Sequence, residues 1–140
     1  SEVLFMNYIQ ENEFTKLPTL FDKLGDSNTK EIIDKLDRKG LSATHWAAIK
    51  GFPACIDILH KYEANINVTD PFGWTPLHAA VVTNNTDCVK KLLELNADIY
   101  ALTKDGESVF DWPVEETVLN ILREHIREHI DGNEIRCTDI

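Results

Sequence analysis

The stretch Asp70-Pro71-Phe72-Gly73-Trp74-Thr75-Pro76-Leu77-His78-Ala79-Ala80 decides how the rest of this chain is read. Asp-Pro followed by Gly is turn chemistry, and Thr-Pro ahead of a short apolar run is a helix start. Pro76 suits the first helical position, where a missing N–H removes no hydrogen bond, and Thr75 can cap the helix in front of it. A partner segment stands upstream: Asp37-Arg38-Lys39-Gly40-Leu41-Ser42-Ala43-Thr44-His45-Trp46-Ala47-Ala48. A fainter copy, Thr103-Lys104-Asp105-Gly106-Glu107-Ser108-Val109-Phe110, follows downstream at the same interval. Gly40, Gly73 and Gly106 mark that common register.

A fixed period of about 33 residues around a Thr-Pro-Leu-His core is the signature of ankyrin repeats, and the segment resembles that family. The resemblance covers residues 37–112 well, and 1–36 and 113–130 only as caps. It implies an all-α solenoid of helix–loop–helix units with β-hairpin fingers, forming one domain over 1–140. The units are an N-terminal capping repeat with an insertion loop (1–36), full repeats at 37–69 and 70–102, a C-terminal capping repeat (103–130) and a tail (131–140).

Composition bounds the reading independently. A chain of 140 residues with 43% apolar and 27% charged content has the makeup of a soluble globular domain. No apolar run reaches the roughly 18 residues of a membrane span, and no signal peptide is evident. Ser1 in place of a start methionine fits a fragment of a longer protein. A net charge of -10 and pI near 4.8 argue against direct nucleic-acid binding, which needs a basic stripe. Three cysteines make no disulfide framework. Cys55 and Cys88 take the same place in successive repeats, on helices about 8–10 Å apart, beyond the reach of a bridge. All three read as thiols of a reducing compartment, cytoplasmic or nuclear. The sequon matches at Asn67 and Asn84 then carry no weight.

Taken in order, residues 1–24 carry two helical patterns, with the break at Glu11-Asn12-Glu13 and an end at Gly25. Ten residues separate Glu63 from Gly73 and Asn96 from Gly106, but fifteen separate Gly25 from Gly40. The surplus predicts a surface loop at Asp26–Lys30. The first full repeat predicts an inner helix at Ser42–Lys50, a left-handed Gly51 and an outer helix at Pro53–Tyr62. Asn84 stands where the first repeat has Gly51, and Asn96 where a helix-ending glycine is usual; Glu63 departs from that pattern. Ile66 and Ile99, in the Ala-Asn-Ile-Asn and Ala-Asp-Ile-Tyr segments, are implied as plugs between repeats. Pro113 stops the third inner helix, and a cap helix is expected from Val114 to Ile130.

Candidate chemistry is sparse. His45 and His78 lie in the family's T-x-x-H setting, which implies structural histidines tying repeats together. His125-Ile126-Arg127-Glu128-His129 matches a zinc-hydrolase spacing, yet no third ligand accompanies it, and a charged helix face explains it. Phosphate loops, nucleophile elbows and paired carboxylates are missing, so no catalytic residue, metal or cofactor is assigned.

What remains is surface. The resemblance implies non-catalytic binding of another protein, as scaffold, adaptor or inhibitor, by a monomeric array. A regulatory segment of a larger enzyme or of a transcription-related regulator is the alternative. The implied concave face includes Arg38, Lys39, Leu41, Ile49, Lys50, Thr69, Pro71, Phe72, Trp74, Val82, Thr83, Leu102, Lys104, Asp105 and Glu107. Phe72 and Trp74 flank Gly73 on one finger, where aromatic anchors would dominate a contact unless one folds back on the adjacent finger.

Overall fold

A computed structural model describes residues 2–132. The helices are α1 (Glu2–Gln10), a 3-10 turn (Phe14–Lys16), α2 (Leu17–Ile33), α3 (Ala43–Lys50), α4 (Pro53–Lys61), α5 (Pro76–Val82), α6 (Thr86–Glu94) and α7 (Glu116–Gly132). The tail from residue 133, Cys137 and the side chain of His129 lie outside what is described.

Local chemistry starts the inner helices. Ser42 and Thr75 are extended, and their hydroxyls accept the N–H of His45 and His78. Each imidazole in turn accepts the backbone N–H of its capping residue, so histidine fills the role that Glu or Gln has in most capping boxes. Pro53 and Pro76 sit at helix starts. Gly51, Asn84, Glu63 and Asn96 all take positive φ at helix ends. Glu63 there, with φ 71°, costs on the order of 1 kcal/mol.

The helices pack in two rows. α1, α3 and α5 form an inner row, and α2, α4, α6 and α7 an outer one. Alanines 43, 47, 48, 79 and 80 are buried, which allows the inner helices to approach closely. The outer row buries Ile56, Leu59, Val89 and Leu92, each burial stabilising by about 1.5–3 kcal/mol. Ile66 and Ile99 are buried.

Three features differ from the sequence expectation. The fingers form no strand among the described residues. Each closes within one tight turn on two backbone bonds (Asp37 N to Leu41 O and Gly40 N to Asp37 O, with the same pairs at Asp70, Trp74 and Gly73 and at Thr103, Glu107 and Gly106, 2.9–3.0 Å), because its glycine at φ near +80° turns the chain straight back. The stretch Asp26–Lys30 is helical instead of a loop. Gly25 (φ 80°, ψ 165°) breaks α2, and a second helical piece follows it. Thr29 and Ile33 anchor that piece by burial, with Thr29 Oγ1 donating to Phe21 O and Asn28 Nδ2 to Leu24 O. The cap helix α7 begins at Glu116 and continues to Gly132, burying Val118 and Leu122.

Candidate functional site

The finger turns are held by their own side chains. Asp37 Oδ1 accepts the N–H groups of Lys39 and Leu41, and Asp70 Oδ1 those of Phe72 and Trp74, all at 2.9–3.0 Å. Thr103 does the same with its hydroxyl for Asp105 and Glu107. Asp37 Oδ2 also accepts the Trp46 indole N–H at 2.7 Å. Burial pushes the Asp37 carboxyl up, but the bonds from Leu41, Trp46 and Lys39 outweigh it and hold the group below its ordinary 3.8.

Successive fingers are then locked together. His45 Nδ1 faces a backbone N–H and the Ser42 hydroxyl, so the ring proton is on Nε2, which donates to Trp74 O at 2.8 Å. His78 repeats the arrangement onto Glu107 O at 3.2 Å. Lys104 N donates to Phe72 O at 3.0 Å. The turns also touch: a methyl group on Gly40 would lie 2.6 Å from the Pro71 ring, and one on Gly73 would lie 2.8 Å from Lys104 N. Both histidines are buried, and burial lowers their basicity below the ordinary 6.5.

On this frame Arg38, Lys39, Lys50, Thr69, Pro71, Phe72, Val82, Thr83, Leu102, Lys104 and Asp105 are exposed. Leu41, Ile49, Trp74 and Glu107 are half-buried. The two finger aromatics divide. Phe72 is 69% exposed, whereas Trp74 stacks on Trp112 with ring centroids 5.1 Å apart and lies over His78.

Trp46 is a site residue that the sequence reading does not single out. It is half-buried on α3, with the Lys39 ammonium 5.5 Å from its ring centroid. The signal for it is a register comparison: the next repeat holds Ala79 in the same place, so a tryptophan there has no packing counterpart.

The arrangement offers little to a reacting molecule. Both nitrogens of each buried imidazole are engaged. Cys55 and Cys88 are free and buried, and burial pushes their thiols up to about 11 and about 12, away from thiolate chemistry. Among the described residues no three His, Cys, Asp or Glu side chains converge as metal ligands. Nor is any helix long and apolar enough to cross a membrane. A ridge of rigid turns with exposed apolar and cationic side chains is suited to contact with another macromolecule.

Stacked helix pairs, histidine-locked fingers and the constant spacing of Gly40, Gly73 and Gly106 together define a repeat protein built for interaction. The chain belongs to the ankyrin-repeat family, whose model of three ankyrin repeats matches residues 6–103. Ankyrin repeats are a non-catalytic fold that mediates protein–protein contacts. Protein phosphatase 1 regulatory subunit 27 of Mus musculus is 32% identical over 107 residues, 76% of this chain and 66% of that protein, just under two thirds of its length. Protein phosphatase 1 regulatory subunit 12A of Mus musculus is 32% identical over 87 residues, 62% of this chain and 8% of that protein. Palmitoyltransferase AKR1 of Lachancea kluyveri is 37% identical over 78 residues, 56% of this chain and 11% of that protein.

Proposed function

We propose that this chain is a non-catalytic, monomeric binding module that holds a partner protein on its finger and inner-helix face. It acts there as scaffold, adaptor or inhibitor. The observation that carries the reading is Phe72, a largely exposed ring on a turn fixed by the Asp70 carboxylate and by the bond to Lys104. An exposed aromatic on a rigid support loses little entropy on binding and makes a favourable anchor. Val82 and Leu102 extend the same face with further exposed apolar surface. The unbridged Cys55 and Cys88 favour a reducing compartment, cytoplasm or nucleus.

Two relatives are named as regulatory subunits of protein phosphatase 1, which makes the catalytic subunit of that phosphatase the first partner to test. A second reading is a regulatory ankyrin segment within a larger enzyme or a transcription-related regulator. It is favoured by matches covering only 8–11% of much longer proteins.

Immobilised protein should retain a partner, the purified phosphatase or a protein from lysate, that a Phe72→Ala/Val82→Ala variant with unchanged circular dichroism releases. Equal retention by both would move the contact off this face.

A further inference from the structure

Each finger carries a different residue ahead of its glycine: Lys39 before Gly40, Phe72 before Gly73 and Asp105 before Gly106. Aspartate followed by glycine is a reactive pair. The next backbone nitrogen can reach the side-chain carboxyl carbon, and glycine has no Cβ to hinder it. Other aspartates of the loops are held out of this chemistry. The carboxylates of Asp34, Asp37, Asp70, Asp98 and Asp111 each accept a backbone N–H. Each is followed by a bulkier residue, or by Pro71, whose nitrogen has no proton to give. Asp105 is exposed, and its carboxylate accepts no hydrogen bond among the described residues.

The nucleophile is guarded, but by the weakest of the three turns. Gly106 N donates to Thr103 O at 2.9 Å, so the turn must open before the nitrogen can attack. The first two turns are held by the carboxylates of Asp37 and Asp70 at 2.9–3.0 Å. The third has only the Thr103 hydroxyl, at 3.3 and 3.2 Å. Charge-assisted bonds of the first kind are roughly twice as strong as neutral ones. His45 grips the second finger at 2.8 Å, whereas His78 grips the third at 3.2 Å. A Cβ on Gly40 or Gly73 would strike the next finger, whereas nothing lies within 4 Å of one on Gly106. Local opening concentrates where ties are few and weak.

We propose that opening of the third turn makes Asp105–Gly106 a site of spontaneous backbone isomerisation. In the opened turn the Gly106 nitrogen bonds to Asp105 Cγ, and the hydroxyl of the carboxyl group leaves as water with the amide proton. Water then adds to the five-membered imide. Breaking the new N–Cγ bond restores aspartate, whereas breaking the original peptide bond leaves the chain running through the side-chain carbon. Neither step needs an oxidant or reductant.

The isoaspartyl product has one more methylene in its backbone between Thr103 and Glu107. The bonds from Thr103 N and His78 Nε2 to Glu107 O depend on the length of that turn, and both are loosened. Isomerisation thus releases the second unit's histidine from the third finger. The product is the substrate class of isoaspartyl carboxyl methyltransferases, which move a methyl group from S-adenosylmethionine to the displaced α-carboxylate. This modification goes beyond the binding reading above and does not depend on it.

Purified protein held for weeks at neutral pH and body temperature, beside a free peptide of residues 103–108, tests the idea. Isoaspartate is read by methyl transfer with such an enzyme and placed by electron-transfer fragmentation of tryptic peptides. Residues 131–132 repeat the Asp-Gly pair but fall on another peptide, beyond Arg127. Isoaspartate should accumulate at position 105 of the folded protein. His78→Gln, which removes the tie to Glu107 O, should speed it about threefold or more. Thr103→Asp, which supplies the carboxylate of the other two turns, should slow it by a similar factor. Asp105→Glu, whose ring would need a sixth member, should remove the signal there. Aged wild type should have a lower urea midpoint than fresh protein, and aged Asp105→Glu should keep its own.

Conversion of the free peptide with none at position 105 of the folded protein would overturn the proposal. Equal accumulation in wild type, His78→Gln and Thr103→Asp would do the same, since the chemistry would then owe nothing to the turn. An unchanged midpoint in protein carrying isoaspartate at 105 would overturn the loosening of the third finger.

Discussion

The ring of His45 donates from Nε2 to the carbonyl oxygen of Trp74 at 2.8 Å, so one side chain that caps its own helix also holds the next finger. The arrangement requires a neutral imidazole, since Nδ1 must accept from Ser42. Burial lowers the folded-state values of His45 and His78 below the 6.5 expected of the unfolded chain. The unfolded state thus takes up protons first as pH falls. The stabilising contribution is complete above about pH 6.5 and is lost below it, by up to about 1.4 kcal/mol per pH unit for each ring. Urea midpoints should fall between roughly pH 7.5 and 5.5, and His78→Gln, which can keep the capping box, should flatten that slope. A midpoint constant across this range would refute the neutral-histidine account.

Two glycines of the same register should respond differently to alanine. Both Gly73 and Gly106 have φ near +80°, so each variant bears the left-handed strain of roughly 1 kcal/mol. A methyl group on Gly106 meets nothing within 4 Å, whereas one on Gly73 lies 2.8 Å from Lys104 N, a backbone atom. Gly73→Ala should therefore be the more destabilising, by about 1–3 kcal/mol beyond Gly106→Ala. Chemical denaturation of the two variants decides it, and equal losses would mean that the fingers part easily.

Thr44 is fully buried and its hydroxyl has no hydrogen-bond partner. The equivalent place in the next repeat is Leu77, also buried. Thr44→Val keeps the shape and removes the desolvated hydroxyl, and it should stabilise by about 1–2 kcal/mol. A lower melting temperature in this variant would show that the hydroxyl is satisfied in solution.

Phe72 and Trp74 should separate cleanly in a stability assay. Phe72→Ala removes an exposed ring and should change stability by no more than about 0.5 kcal/mol. Trp74→Ala removes the stack on Trp112 and His78 and should cost about 2 kcal/mol or more. Matched thermal melts supply the comparison. Similar losses for both would place Phe72 in the packed structure and weaken it as an anchor.

The repeat frame was legible because each local cue agreed with the next. Ser42 and Thr75 announce helix starts, and Gly51, Asn84, Glu63 and Asn96 sit where left-handed turns are needed. The helix after Gly25 was not legible. Asp26-Ser27-Asn28-Thr29 reads as turn chemistry, and only burial of Thr29 and Ile33 against other elements overrides that preference. At the candidate site, exposure followed from register, so the finger positions could be named. Which of two adjacent aromatics packs depends on Trp112, distant from Trp74 along the chain and brought near only by stacking of the third unit. Trp46 escapes the sequence reading for a simpler reason: in a helical pattern it reads as core.

The histidine bonds also give the array a direction. His45 and His78 each reach forward, to a carbonyl 29 residues later, and neither reaches back. At the third position Asp111 replaces the histidine, and its exposed carboxylate accepts the Ser108 N–H of its own unit at 2.7 Å. A unit with histidine is completed by its successor, while the unit with aspartate completes itself. Separating the second and third fingers would therefore strand the His78 ring N–H on the earlier side, and with it the Lys104 N–H that reaches back to Phe72 O. Loss of the third unit would be felt at the His78 ring of the second, so through its histidines each unit depends on the one that follows it.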